Sequence, residues 1–129
     1  MPPKRAPGSY EDWMERAKAS LALAKARKME GILLEDLCYQ AQQAGEKALK
    51  ALYLKRGAVF PFVHNLDQLL AGLEDLGLEI PEAIDQATIL TRYAVETRYP
   101  GAYEPVIEDE YQEAIRFAET ILSWAEITP

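Results

Sequence analysis

Residues 35–66 read EDLCYQAQQAGEKALKALYLKRGAVFPFVHNL, and this stretch decides how the rest of the chain folds. Small and apolar residues recur in it every three or four positions, as they do on one face of an α-helix. The members of this apolar stripe are Leu37, Cys38, Ala41, Ala44, Gly45, Ala48, Leu49 and Leu52. We predict a long central helix that ends near Gly57, because glycine tolerates the left-handed conformation that terminates many helices.

A second stripe of the same helix is polar and consists of Tyr39, Gln43, Glu46 and Lys50. Residues three and four apart share a helix face, so these side chains should lie one turn above another. The simplest interpretation is a solvated surface on which Glu46 and Lys50 form a pair worth about 0.3 to 0.5 kcal/mol. The other interpretation is a binding surface that offers a donor, an acceptor and a charge.

Four further amphipathic segments flank the central helix. Ser9 is a suitable N-cap for the first of them, and Asn65 is a suitable N-cap for the third helix of the chain. The apolar faces comprise Trp13, Ala17, Leu21 and Ala24; Leu66, Leu69, Leu70 and Leu73; Ala83, Ala87, Leu90 and Ala94; and Tyr111, Ile115, Ala118 and Leu122. No window alternates apolar and polar residues as a strand would. The sequence therefore predicts an all-α fold, an antiparallel up-and-down bundle of four to five helices.

Length and composition indicate a single soluble domain. The chain has 129 residues, which suffice for one hydrophobic core. Residues 1–8 contain three prolines and one glycine and should form a flexible tail, which leaves 9–127 as one helical domain. No apolar run approaches the roughly 18 residues of a membrane span, and the start of the chain lacks a secretory signal. We expect a cytoplasmic protein without a membrane partner.

Residue counts exclude several kinds of site. With one cysteine and one histidine, neither an internal disulfide nor a metal cluster is expected, and no cofactor is predicted. Cys38 lies on the apolar stripe and should be a small buried hydrophobe. The net charge of −7 argues against broad electrostatic binding to nucleic acid. The chain also lacks glycine-rich phosphate loops and nucleophile motifs.

The loop after the central helix carries the only histidine, His64. Pro61 and the aromatic residues Phe60 and Phe62 should stiffen this loop and bury its edge. We therefore expect His64 to lie against protein rather than in open water.

Several motifs, taken in order, resemble the HEPN domain family, a small all-helical module. The motifs are Trp13 and Ala17; Gln43, Glu46, Ala48, Leu49 and Lys50; His64, Asn65 and Leu66; Arg98, Tyr99 and Pro100; and Ala118, Ile121, Leu122 and Trp124. Together they span nearly the whole chain. The resemblance implies a HEPN-like bundle of four to five helices, a homodimer, and a cleft lined by polar residues. It also implies pairing with a minimal nucleotidyltransferase, in some relatives as toxin and antitoxin.

Given this resemblance, we interpret six residues of the motifs as a pocket that binds a nucleotide or docks a partner. Its proposed members are Gln43, Glu46, Lys50, His64, Arg98 and Tyr99. Lys50 would supply a point charge, Arg98 a fork to a phosphate or to Glu46, and Tyr99 a stacking face. In a purely structural interpretation, Glu46 and Arg98 form a half-buried ion pair instead.

The alternative function is a metal-independent RNase toxin of the same fold. RNA would be its substrate, with His64 as the proton acceptor and Arg98 as the cation that stabilises the phosphorane. Relatives that cut RNA carry an arginine followed a few residues later by a histidine, near the start of the last long helix. This sequence departs from that pattern, because Tyr99 and Pro100 follow Arg98 and no histidine occurs after His64.

Overall fold

The structure, a computed structural model, describes residues 6–26, 30–95 and 105–129. Its elements are α1 (Tyr10–Lys25), α2 (Leu34–Lys55), α3 (Leu66–Asp75), α4 (Glu82–Gln86), a 3₁₀ turn (Ala87–Thr91), α5 (Arg92–Val95) and α6 (Glu108–Ile127). No strand occurs in these three ranges, which confirms the predicted all-α class. Among the helices of the described ranges, none combines the length and apolar character that a membrane crossing requires.

Three long helices form the frame of the bundle, with α2 packed against both α1 and α6. The ammonium of Lys55, at the end of α2, lies 5.0 Å from the ring centroid of Tyr10, at the start of α1. The hydroxyl of Tyr111, near the start of α6, donates to the carbonyl of Ala24 at 2.6 Å, near the end of α1. Both α2 and α6 therefore run antiparallel to α1, as in the up-and-down arrangement that was predicted.

The apolar stripe of α2 is buried along its whole length, as predicted. Gly45 allows the last helix to approach closely, since a Cβ at this position would lie 3.1 Å from Cδ1 of Ile121. Cys38 is fully buried, and burial raises the pKa of its thiol to about 12. It therefore behaves as the small hydrophobe expected from its place on the stripe.

The predicted helix boundaries follow from local hydrogen bonds. The Ser9 hydroxyl accepts from the Asp12 amide at 3.3 Å, and the Asn65 side-chain oxygen accepts from the Gln68 amide at 3.2 Å. Gly57 has a φ of 73°, the left-handed value expected just after α2. These caps satisfy backbone groups that a helix end leaves without intrahelical partners.

The segment predicted as a continuous fourth helix is divided into α4, the 3₁₀ turn and α5. A 3₁₀ turn has three residues per turn rather than 3.6, so it shifts the side chains that precede it around the helix axis. Ala83 is consequently exposed and Ile84 is buried in its place, whereas Ala87, Leu90 and Ala94 are buried as expected. The prediction of an inward-facing Ala83 was wrong for this reason.

The loop between Gly57 and Asn65 runs back along α2. The ring of Phe60 lies 5.2 Å from the Lys50 ammonium, and the His64 ring reaches Glu46, one helical turn further back. This return of the chain places the only histidine on the polar face of α2.

Candidate functional site

The polar face of α2 carries a chain of buried hydrogen bonds. The Lys50 ammonium donates to Oε2 of Glu46 at 2.9 Å, and the two side chains are only 7% and 6% exposed. The Gln42 amide donates to Oε1 of Glu46 at 3.2 Å and to the backbone carbonyl of His64 at 3.1 Å. The pair of Glu46 and Lys50 expected on a solvated surface is present, but both side chains are buried, whereas Tyr39 and Gln43 of the same stripe are half-buried.

Aromatic side chains from two other elements enclose Lys50. Its ammonium lies 6.0 Å from the ring centroid of Trp13 in α1 and 5.2 Å from that of Phe60 in the returning loop. The two rings contact each other edge to face, with 5.0 Å between centroids. Ring faces attract a cation, and a carboxylate neutralises it, so both requirements of a buried ammonium are met. Lys50 thus directs its charge inward, toward Glu46.

Glu46 is the acceptor at the centre of this network. Burial alone would raise the pKa of its carboxyl group, but hydrogen bonds from Lys50, Gln42 and His64 outweigh burial and lower that pKa. Glu46 is therefore a carboxylate at neutral pH although its side chain is buried.

His64 joins this buried network to the solvent. Its Nδ1 atom lies 3.1 Å from each carboxylate oxygen of Glu46, yet its side chain is 73% exposed. His64 lies against protein at Nδ1, as expected, but the rest of its ring faces solvent rather than a buried loop edge. When Nδ1 carries the proton and donates to Glu46, the Nε2 lone pair is available to a ligand.

Three other residues were predicted from the sequence to belong to this site, namely Gln43, Arg98 and Tyr99. The Gln43 amide donates to the Gln42 side-chain oxygen at 2.8 Å and so supports the network from its edge. Arg98 and Tyr99 lie outside the described residues, and their place in the site stays a prediction. Gln42 is the residue that sequence reasoning missed. It lies four residues before Glu46, a spacing as suitable for a shared helix face as the three residues of Gln43.

An apolar edge adjoins the network on the returning loop. Phe62 and Val59 are the most exposed of the large apolar residues in the described ranges, at 93% and 87%. The ring of Phe62 contacts that of Phe60 edge to face, at 6.1 Å between centroids. Apolar side chains that face solvent beside polar groups are typical of contact surfaces. In the described ranges, no three His, Cys, Asp or Glu side chains are grouped so that they could hold a metal ion.

This fold and its sequence are similar to proteins of known structure. The crystal structure of TT1696 from Thermus thermophilus matches with a TM-score of 0.80 and 37% identity, over 91% of this chain and 95% of that chain. ST0689, an archaeal HEPN homologue, matches with a TM-score of 0.72 and 29% identity, over 92% of this chain and 95% of its own. No curated protein matches the chain. The sequence model of the HEPN domain covers residues 10–128, and the chain therefore belongs to the HEPN domain family.

Proposed function

We propose that this HEPN domain is a binding module that pairs with a minimal nucleotidyltransferase and holds a nucleotide in a cleft beside the polar face of α2. The observation that carries the proposal is the exposed imidazole of His64, anchored on the buried carboxylate of Glu46. Beside it, the ring of Phe62 is open to solvent. A fixed polar ring next to an open aromatic face suits a ligand that combines hydrogen-bonding groups with a flat base.

The energetic cost of this arrangement also favours binding over a purely structural role. A buried pair such as Glu46 and Lys50 pays for desolvation on both sides, and apolar residues of similar size often replace such pairs without loss of stability. An exposed Phe62 contributes little to folding, because its ring stays in water. The buried ion pair and the exposed Phe62 would both have a function if a ligand or partner bound at this surface.

The apolar edge formed by Val59 and Phe62 is the proposed contact for a protein partner. A partner that covered both side chains would remove apolar area from water, which is the main favourable term in association. The nucleotidyltransferase is the partner class that the family resemblance implies, and it would share its nucleotide chemistry with the cleft. Homodimer formation and membership of a toxin–antitoxin pair belong to the same proposal.

Co-purification tests the partnership. The chain is expressed together with a minimal nucleotidyltransferase, as wild type, as Phe62→Ser and as Leu23→Ser. Leu23 is an exposed apolar residue near the end of α1, so it is a matched control for a loss of surface hydrophobicity. We expect Phe62→Ser alone to lose the partner. Equal recovery of all three proteins would exclude the apolar edge, and the lack of a complex with wild type would exclude the pairing.

Calorimetric titration with ribonucleoside triphosphates tests the cleft, and His64→Ala should weaken the affinity. Light scattering after size exclusion gives the number of chains in the particle. A wild-type protein that binds none of the nucleotides would refute that part of the proposal.

A metal-independent RNase is the second candidate, and the contact between Glu46 and His64 favours it. A carboxylate at Nδ1 orients an imidazole and leaves Nε2 to accept a proton, as a general base requires. In this function Arg98 would supply the cation. Incubation of labelled RNA with wild type and His64→Ala, in the presence of a chelator, decides the question. Cleavage that the variant lacks would support the RNase, whereas intact RNA would exclude it.

A further inference from the structure

We propose that Lys47 and Arg16 form a phosphate-binding subsite on the surface where α1 and α2 pack together. The inference depends on the proposed nucleotide binding and extends it, because it assigns the phosphate of the ligand to two residues outside the polar stripe. It replaces Lys50 in the role of phosphate cation, since the charge of Lys50 is already neutralised by Glu46.

Lys47 reaches across the two helices to a buried hydroxyl. Its ammonium donates to Oγ of Ser20 at 2.8 Å, and Ser20 is almost fully buried while Lys47 is half-buried. An ammonium has three N–H donors, so this bond leaves two for a ligand. Within the described part of the chain, no carboxylate forms an ion pair with Lys47.

The surroundings of Lys47 disfavour its charge. Burial lowers the pKa of the ammonium, Glu46 raises it, and the nearby guanidinium of Arg16 lowers it again. The net effect is a lowered pKa, as expected for a cation that lacks a direct counterion. A bound anion would offset both the loss of hydration and the repulsion between the two cations.

Arg16 is fixed at one edge of its guanidinium and open at the other. Its Nε atom donates to Oδ1 of Asp12 at 3.2 Å, and Oδ2 of the same carboxylate accepts from the Gly8 amide at 2.8 Å. The Arg16 side chain nevertheless remains 63% exposed. A guanidinium held in this way presents its terminal N–H groups in the planar geometry that suits phosphate oxygens.

Arg16 and Ser20 lie four residues apart on one face of α1, and the Lys47 ammonium contacts Ser20, so Lys47 reaches α1 one helical turn from Arg16. Lys47 directly follows Glu46, and Arg16 lies one helical turn after Trp13, whose ring covers Lys50. In this proposal the nucleotide phosphate lies between Lys47 and Arg16, and the base extends toward His64. The recognised group is a phosphoryl group, carried either by a nucleotide or by free phosphate.

Isothermal titration calorimetry distinguishes these sources and tests the subsite. Wild type, Lys47→Gln, Arg16→Gln and Lys47→Arg are titrated with the four common ribonucleoside triphosphates, with the corresponding nucleosides and with inorganic phosphate. Lys25→Gln is the matched control, because Lys25 is an exposed lysine of α1 that pairs with Glu119 at 2.6 Å. Melting curves show whether each variant is folded.

We expect Lys47→Gln and Arg16→Gln to lower triphosphate affinity at least tenfold, with the control close to wild type and Lys47→Arg weaker than wild type but stronger than Lys47→Gln, because it keeps a cation. Nucleoside binding should change little, because nucleosides carry no phosphate. Binding of inorganic phosphate alone, lost in Lys47→Gln, would support the subsite and identify free phosphate as its ligand. If folded Lys47→Gln binds triphosphates as tightly as wild type, the subsite is wrong and the nucleotide cleft stands. If wild type binds none of these ligands, both proposals fail.

Discussion

Two lysines of α2, three residues apart, meet opposite electrostatic surroundings. Lys50 is almost fully buried, but a carboxylate and two ring faces compensate its charge. Lys47 is less buried, yet its described contact is a neutral hydroxyl, and a second cation lies nearby. Burial alone therefore does not separate an architectural charge from one available to a ligand. The direct ion pair does, because Glu46 contacts Lys50, whereas it acts on Lys47 without forming an ion pair.

The largest effect should come from removal of the counterion of Lys50. Glu46→Ala leaves a buried ammonium without a carboxylate and should lower the free energy of unfolding by about 3 to 5 kcal/mol. Chemical denaturation measures this change. Glu119→Ala is the control, since its partner Lys25 is exposed and the expected loss is about 0 to 1 kcal/mol. Similar losses in the two variants would contradict the role assigned to Glu46.

Replacement of both members of the pair should cost less than removal of one. Glu46→Leu combined with Lys50→Met removes both charges and keeps most of the volume, so the double variant should be within about 2 kcal/mol of wild type. A double-mutant cycle with the two single variants measures the coupling. Additive losses would mean that Glu46 and Lys50 do not stabilise each other.

Acid should lower the stability of the folded chain, because protonation of Glu46 removes the counterion of Lys50. The pKa of Glu46 is lower in the folded chain than the value of about 4.3 typical of an unfolded glutamate. Its contribution is therefore fully present above that value and is lost as the pH falls through the folded pKa. Unfolding curves recorded between pH 6 and pH 2 should show a smaller decline for Glu46→Gln than for wild type. Parallel curves would argue against a stabilised carboxylate.

The smallest effect is expected at Lys47. Lys47→Met removes a charge without a carboxylate partner, so the free energy of unfolding should change by only about 0 to 1 kcal/mol. Lys50→Met should cost several times more, because it leaves Glu46 buried and unpaired. Denaturation of both variants under the same conditions makes the comparison. A large loss in Lys47→Met would identify the contact with Ser20 as a structural tie between α1 and α2.

Local features of the fold were predictable from the sequence. The buried stripe of α2, the caps at Ser9 and Asn65, and the left-handed Gly57 each depend on residues only a few positions apart. Helix periodicity and capping chemistry act over that same range. The division of the fourth helix was not predictable in this way. A 3₁₀ turn and an α-helix can be formed by the same kinds of residue, and they differ in the number of residues per turn.

Helical spacing predicted that Glu46 and Lys50 share one face of α2, but it did not predict that both side chains are buried. The positions of Glu46 and Lys50 on one face follow from helical spacing, whereas their cover comes from Trp13 and Phe60, which belong to other elements. Helical spacing also could not rank Gln42 above Gln43. Only the return of the loop, with the carbonyl of His64 at 3.1 Å, gives Gln42 its second acceptor.

Cys38 is a built-in probe for the opening of the central helix. It is the chain's only thiol, it is fully buried in α2, and burial raises its pKa to about 12, which keeps it in the unreactive thiol form at neutral pH. An alkylating reagent should therefore modify the protein only when α2 leaves its neighbours. The rate of that single reaction would report how often the central helix opens, without any added label, in wild type and in every variant of Glu46, Lys47 and Lys50.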